Sequence, residues 1–158
     1  MSIDARIDGA QESVGRTYDN RGRVWDALET PGQLSEGHKR LAMVGAVAIR
    51  AVITVDCYNR GLNIGAFAAE LGQPDVCNAH KNTGAIDDII QRLVNIRELA
   101  NKGFDKGLDR FIRKNPAQGG RVSPRTMVDT VQAMVGAALL EGGLEAAKQV
   151  MRGLGIIE

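Results

Sequence analysis

The side chains able to do chemistry are few, and their spacing excludes more than it offers. Two histidines, His38 and His80, and two cysteines, Cys57 and Cys77, stand among 158 residues. No CxxC pair and no Cys/His spacing matches a zinc site. His80, with Asp75, Cys77 and Asn82 nearby, fits no metal pattern and reads as a surface histidine in a loop. Neither cysteine is flanked by the cations that stabilise a thiolate, so nucleophilic catalysis has no support. There is no GxxxxGK[ST] and no strand followed by GxGxxG, so no cradle for nucleotide phosphates. His38, beside Lys39 in front of an apolar helix, has the chemistry of a general base, since a histidine titrates at about 6.5. The same position equally suits an exposed polar cap.

The elements that must position these groups all read as helices. From Leu41 the apolar residues Val44, Ala48, Ile49, Val52 and Ile53 recur at three and four, which predicts a central, buried helix to about Tyr58, stopped by Asn59, Arg60 and Gly61. A second pattern runs from Asp87 to Ala100 and closes at Lys102 and Gly103. Ser123 and Pro124 predict a helix start, because a serine oxygen accepts an orphan N–H and proline has none to satisfy. That helix carries Val128, Val131, Met134, Val135, Ala138 and Leu139 and ends at Gly142 and Gly143, and another follows from Leu144 to about Leu154. Shorter helices are expected over Ile7 to Arg16, Arg23 to Glu29, Ile64 to Leu71 and Gly107 to Lys114, with loops over Gly72 to Gly84 and Asn115 to Val122. The expected class is all-α.

Composition sets the outer bounds. Hydrophobic residues at 44% and charged ones at 25% are those of a globular domain, and the length suits one domain over residues 1–158. No apolar run is long enough to span a membrane, and the acids Asp4, Asp8 and Glu12 argue against a targeting presequence, so a cytoplasmic or nuclear location is expected. A net charge of +1 lacks the cationic excess of a dedicated nucleic-acid binder. Aromatics are only 4%, so close helix packing over small side chains must supply much of the core.

Four segments, in order, resemble the ribonuclease III catalytic domain. HKRLAMVGAVAI, His38 to Ile49, resembles the family signature NERLEFLGDAVL, and VDTVQAMVGAALLEGG, Val128 to Gly143, resembles ADxFEAxIGAxYLDGG. Between them, LVNIRELANKGFDKGLDRFI, Leu93 to Ile112, is similar to LVSNxxLAxxAxxLGLxxxI, and VGRTYDNRGRVWDALET, Val14 to Thr30, is similar to LGYxFxxxxLLxxALTH. The likeness runs over about residues 12–152, aligns poorly from Leu62 to Arg92, and looks most like the fungal branch of the family in the wording RVSPRTMVDTVQAMVGAALLEGG. No double-stranded RNA-binding domain is seen in the 158 residues.

This resemblance implies a fold and withholds its chemistry. The family cleaves phosphodiesters with two divalent cations held by four carboxylates, two spaced four apart on the signature helix and two spaced three apart on the later one. In this chain those positions are Ala42, Ala46, Asp129 and Gln132. Methyl groups coordinate nothing and an amide brings no charge, so one carboxylate remains where a two-metal cage needs four. No metal, no cofactor and no nuclease activity are expected. The resemblance also implies a two-fold homodimer, with Met43 in place of the signature aromatic that packs into the partner, and with Gly45 and Ala46 allowing close approach.

Two functions then stand side by side. One is a pseudoenzyme in RNA processing: a scaffold, or an RNA- or protein-binding subunit, with at most weak affinity for structured RNA through a local patch including Arg40, Lys102, Lys106 and Arg125. The other is a metal-independent enzyme of fungal metabolite biosynthesis, a cyclase, dehydratase or isomerase. Its small-molecule ligand would sit in the dimer cleft, with His38, Lys39, Asp129 and Gln132 as polar groups around Ala42, Ala46 and Met43. The bland alternative for Asp129 is a solvated helix carboxylate.

Overall fold

The computed structural model describes residues 1–32, 35–59, 90–91, 95–114 and 119–158. Five α-helices organise them: α1 Ile3–Val14, α2 Arg21–Leu28, α3 Lys39–Asn59, α4 Ile96–Asp105 and α5 Pro124–Gly153, with a 3₁₀ turn at Leu108–Arg110. Among the described residues there is no strand; a lone parallel bridge joins Glu29 and Arg113. The fold is all-α, as the periodicity predicts. His80 and Cys77, the helix expected over Ile64 to Leu71 and the loop over Gly72 to Gly84 lie outside the described residues.

Capping explains most helix starts. Ser2, Asn20, Asn95 and Ser123 each accept a backbone N–H three residues on, from Ala5, Arg23, Glu98 and Thr126. Pro124 follows Ser123 in the first turn of α5, so the proline costs no hydrogen bond. Asn95 corrects the pattern read from Asp87 to Ala100. Its cap begins a separate helix at Ile96, and that helix runs past Gly103 to Asp105. The helix expected over Gly107 to Lys114 reduces to the 3₁₀ turn.

The centre of the molecule is α5 rather than α3. Thr130, Val131 and every residue from Ala133 to Ala138 are buried, along with Met127 and Val128, so this stretch is surrounded on all sides. Full burial of side chains such as Met127, Met134 and Met151 stabilises by roughly 1.5–3 kcal/mol each. In α3, by contrast, Ala48, Ile49, Val52 and Ile53 face inward while Met43, Val47, Val55 and Tyr58 are exposed. The helix expected to end at Gly142 and Gly143 instead continues as α5 to Gly153, with a bend at that glycine pair. Gly143 has φ 70° and ψ −159°, a conformation that glycine adopts without steric cost.

Two glycines let α3 and α5 cross with their backbones in contact. A β-carbon on Gly45 would overlap the carbonyl of Gln132, and one on Gly136 would overlap the carbonyl of Leu41. The small-residue packing expected from composition is seen here and again at Gly9, Gly103 and Gly153, where a β-carbon would overlap Phe111, Met127 and the Val14 carbonyl. The close approach expected of Gly45 at a dimer surface is therefore made within the chain, because its missing side chain is what admits α5.

Around this crossing, α1 and α2 are tied on by polar contacts. The Tyr18 hydroxyl donates to the Met134 carbonyl at 2.7 Å, and burial pushes its pKa up. Arg16 pairs with Glu141 at 3.2 Å, with both side chains largely buried.

Candidate functional site

The α3–α5 crossing brings together the sequence positions singled out for chemistry. Ala42 and Ala46 flank Gly45 on α3, and Gln132, whose backbone meets Gly45, lies one turn after Asp129 on α5. Ala42 is buried, and Ala46, Asp129 and Gln132 are half-buried. Helix geometry accounts for the arrangement: residues three or four apart share one face.

His38 is the most constrained polar group near the crossing. It stands just before α3, where its carbonyl accepts from the Ala42 N–H at 2.9 Å and its own N–H donates to Glu29 at 2.9 Å. Its side chain is 1% exposed, which overturns the reading as an exposed cap. Nδ1 lies 3.2 Å from the Thr130 hydroxyl, with donor and acceptor set by the ring tautomer, and Nε2 lies 3.8 Å from Asp129 Oδ2. The Thr130 hydroxyl also reaches the Thr126 carbonyl at 2.9 Å. Burial pulls the imidazole pKa below its ordinary value. Asp129 and the carbonyl of Ala27 act against that shift, and Lys39 adds to it. Burial thus favours the neutral form of the ring, which is held among α2, α3 and α5.

Asp129 is half of a small charged cluster rather than an isolated surface charge. Arg125 Nε lies 3.8 Å from its Oδ1, one helical turn away, while its other oxygen faces His38. Lys39 and Met43 point away from the crossing: Lys39 is exposed, and Met43 is 73% exposed.

The donor set does not fit a two-magnesium site. Asp129 supplies one carboxylate, already flanked by Arg125 and His38, Gln132 supplies a neutral amide, and Ala42 and Ala46 supply methyl groups. Among the described residues, no group of three or more His, Cys, Asp or Glu side chains is gathered to hold a metal ion.

Sequence reasoning passed over Thr130, although the signal was present. Thr130 shares the spacing of Met127, Val131 and Met134, the buried stripe of α5, and a hydroxyl on such a stripe needs a partner. Arg16 and Glu141 were likewise missed, because nothing in their local sequence announces a pairing across 125 positions.

Comparison with known proteins supports this fold. No protein-family model matches the chain. Ribonuclease 3 of Thermobifida fusca (strain YX) is 31% identical over 74 residues, 45% of this chain, and the chain spans about a third of that relative's length. The nuclease domain of ribonuclease III from Campylobacter jejuni, in a structure showing flexibility in a region involved in dimer formation, superposes with a TM-score of 0.72 at 21% identity, covering 94% of this chain and 95% of the other. A 2.2 Å structure of the same domain gives a TM-score of 0.70 at 20% identity, covering 93% and 92%. No described helix is long and apolar enough to cross a membrane. In its described residues, the chain has the fold of a ribonuclease III nuclease domain.

Proposed function

We propose that this chain is a degenerate, fungal-type ribonuclease III-like domain that forms a homodimer and does not cleave RNA, serving as a scaffold or an RNA- or protein-binding subunit. One observation carries the reading. The α3–α5 crossing rests on the backbone contact at Gly45 and Gln132, while the side chains it presents at Ala42, Ala46 and Gln132 carry no charge that would hold magnesium. Met43 and Val47, 73% and 67% exposed one turn apart on α3, offer the apolar knobs that a self-complementary contact needs. The relative from Campylobacter jejuni, in which a region takes part in dimer formation, is consistent with that assembly.

The rival reading, a metal-independent biosynthetic enzyme, needs His38 to face a ligand. Instead the ring is 1% exposed and its nitrogens face Thr130 and Asp129, while Lys39 and Met43 look outward. The geometry favours the scaffold. Calorimetric titration with Mn²⁺ combined with sedimentation velocity tests it: a dimer without measurable metal binding is expected, whereas stoichiometric binding of two metals per chain overturns it.

A further inference from the structure

Two hydroxyl residues of the chain stand directly before a proline, Thr30 before Pro31 and Ser123 before Pro124. The structure separates them. Thr30 is 8% exposed, its hydroxyl donates to the Arg113 carbonyl at 2.8 Å, and its own N–H reaches the same carbonyl at 3.3 Å. Ser123 is exposed, as are Arg121, Pro124 and Arg125 on either side of it. The turn that leads to Ser123 is open as well: a β-carbon on Gly119 or Gly120 would meet no other atom within 4 Å. The Ser123 hydroxyl accepts the Thr126 N–H at 3.1 Å and donates to the Thr126 hydroxyl at 3.0 Å, and both bonds face solvent. Of the two hydroxyls, Ser123 is the one that a second protein can reach.

We infer that Ser123 is a phosphorylation site, the substrate of a proline-directed serine/threonine protein kinase. Such an enzyme closes on the residue after the acceptor, and a proline there has no N–H to leave unpaired in the contact. In the transfer the Ser123 oxygen bonds the γ-phosphorus of ATP as the bond from that phosphorus to the β,γ-bridging oxygen breaks. ADP leaves, and the hydroxyl proton passes to the kinase's base and then to water. To enter the kinase the first turn of α5 must open, which exchanges the two solvent-facing bonds to Thr126 for bonds to water. The product carries a charge of about −2 flanked in sequence by Arg121 and Arg125, so the formal net charge of +1 falls to about −1. Arg125, 75% exposed and 3.8 Å from Asp129, can turn toward the phosphate, and Asp129 then loses that neighbour. The transfer needs neither a dimer nor a metal at the crossing, so the inference goes beyond the function proposed above and does not depend on it.

The test incubates the whole folded chain with ATP, Mg²⁺ and a purified proline-directed kinase shown to be active on a standard Ser-Pro peptide. Mass spectrometry of the intact chain and of its peptides should find one phosphate, on Ser123, and none on Thr30. Ser123→Asn keeps a capping side chain but offers no hydroxyl, so it should take up no phosphate while its circular dichroism and melting temperature stay near those of the wild type. Pro124→Ala should slow the transfer by about tenfold or more, since the alanine N–H then enters the kinase without a partner. A wild-type chain left unmodified, phosphate on Thr30 in place of Ser123, a Ser123→Asn variant modified as fully as the wild type, or equal rates for Pro124→Ala and the wild type each overturn the inference.

Discussion

Gly45 on α3 meets the backbone carbonyl of Gln132 on α5 with no room for a β-carbon between them. Gly136 makes the reciprocal contact with the carbonyl of Leu41, so the two helices cross on a pair of glycines. This crossing fixes where Ala42, Ala46, Asp129 and Gln132 stand relative to one another. Ala42, Ala46 and Gln132 bring no carboxylate to it. The two glycines serve the packing of the helices, whatever side chains stand beside them.

Because backbone atoms occupy the space, Gly45→Ala cannot be absorbed by a side-chain rotation. It should destabilise the chain by about 1–3 kcal/mol or more, the range for overpacking a close-packed core. Gly136→Ala should behave in the same way. Chemical denaturation followed by circular dichroism measures both, and a change below about 0.5 kcal/mol would show that the helices separate at little cost.

The buried His38 predicts a pH dependence with a definite sign. Its pKa is lowered in the folded chain by burial, so on acidification the unfolded chain takes up the proton first. Stability is therefore fully present above the unfolded value of about 6.5 and falls as pH drops toward the lower folded value, by about 1.4 kcal/mol for each unit between the two. A His38→Gln variant should lose the slope in that window. A wild type and variant with parallel stability profiles from pH 7 to 5 would contradict the assignment.

Glu141 contributes a slope of the same sign, at lower pH. Burial alone would raise its pKa, but the N–H groups of Asn20 and Asp19 and the Arg16 guanidinium hold the carboxylate below the usual range. Its stabilisation is present above the unfolded pKa and is lost as pH falls through the lowered folded value. Glu141→Gln should cost about 1–3 kcal/mol at pH 7, because Arg16 stays largely buried without its charge partner. Urea denaturation at pH 7 and at pH 3 tests this, with the difference between wild type and variant shrinking at pH 3.

Adding carboxylates at the crossing should create metal affinity. Ala42→Glu, Ala46→Asp and Gln132→Glu together restore four carboxylates across the crossing, and hard divalent cations bind such oxygen sets. Without metal the triple variant should be less stable than the wild type, since like charges then crowd one site. Millimolar Mn²⁺ should raise its melting temperature and leave that of the wild type unchanged. Equal responses in the two proteins would separate these positions from metal binding.

Much of the fold was legible because its signals are local. The Ser123–Pro124 start of α5, the bend at Gly142 and Gly143 and the apolar rhythm of α3 each depend on residues within a few positions. Asn95 was harder to read, since its apolar neighbours continue a helical rhythm across a cap that only its bond to Glu98 reveals. The site was legible in its positions but not in its environment. His38 looks from sequence like a polar residue at a helix start, and its burial comes from Ala27, Asp129 and Thr130 on other helices. Gly45 shows the same limit: a small residue signals close approach without saying whether the neighbour belongs to the same chain.

Incubation of the purified wild-type chain with long duplex RNA in Mg²⁺, at enzyme excess over substrate, tests the central claim most directly. The expected result is no product above the metal-free control. Metal-dependent cleavage that is stopped by EDTA and abolished by Asp129→Asn would contradict the account.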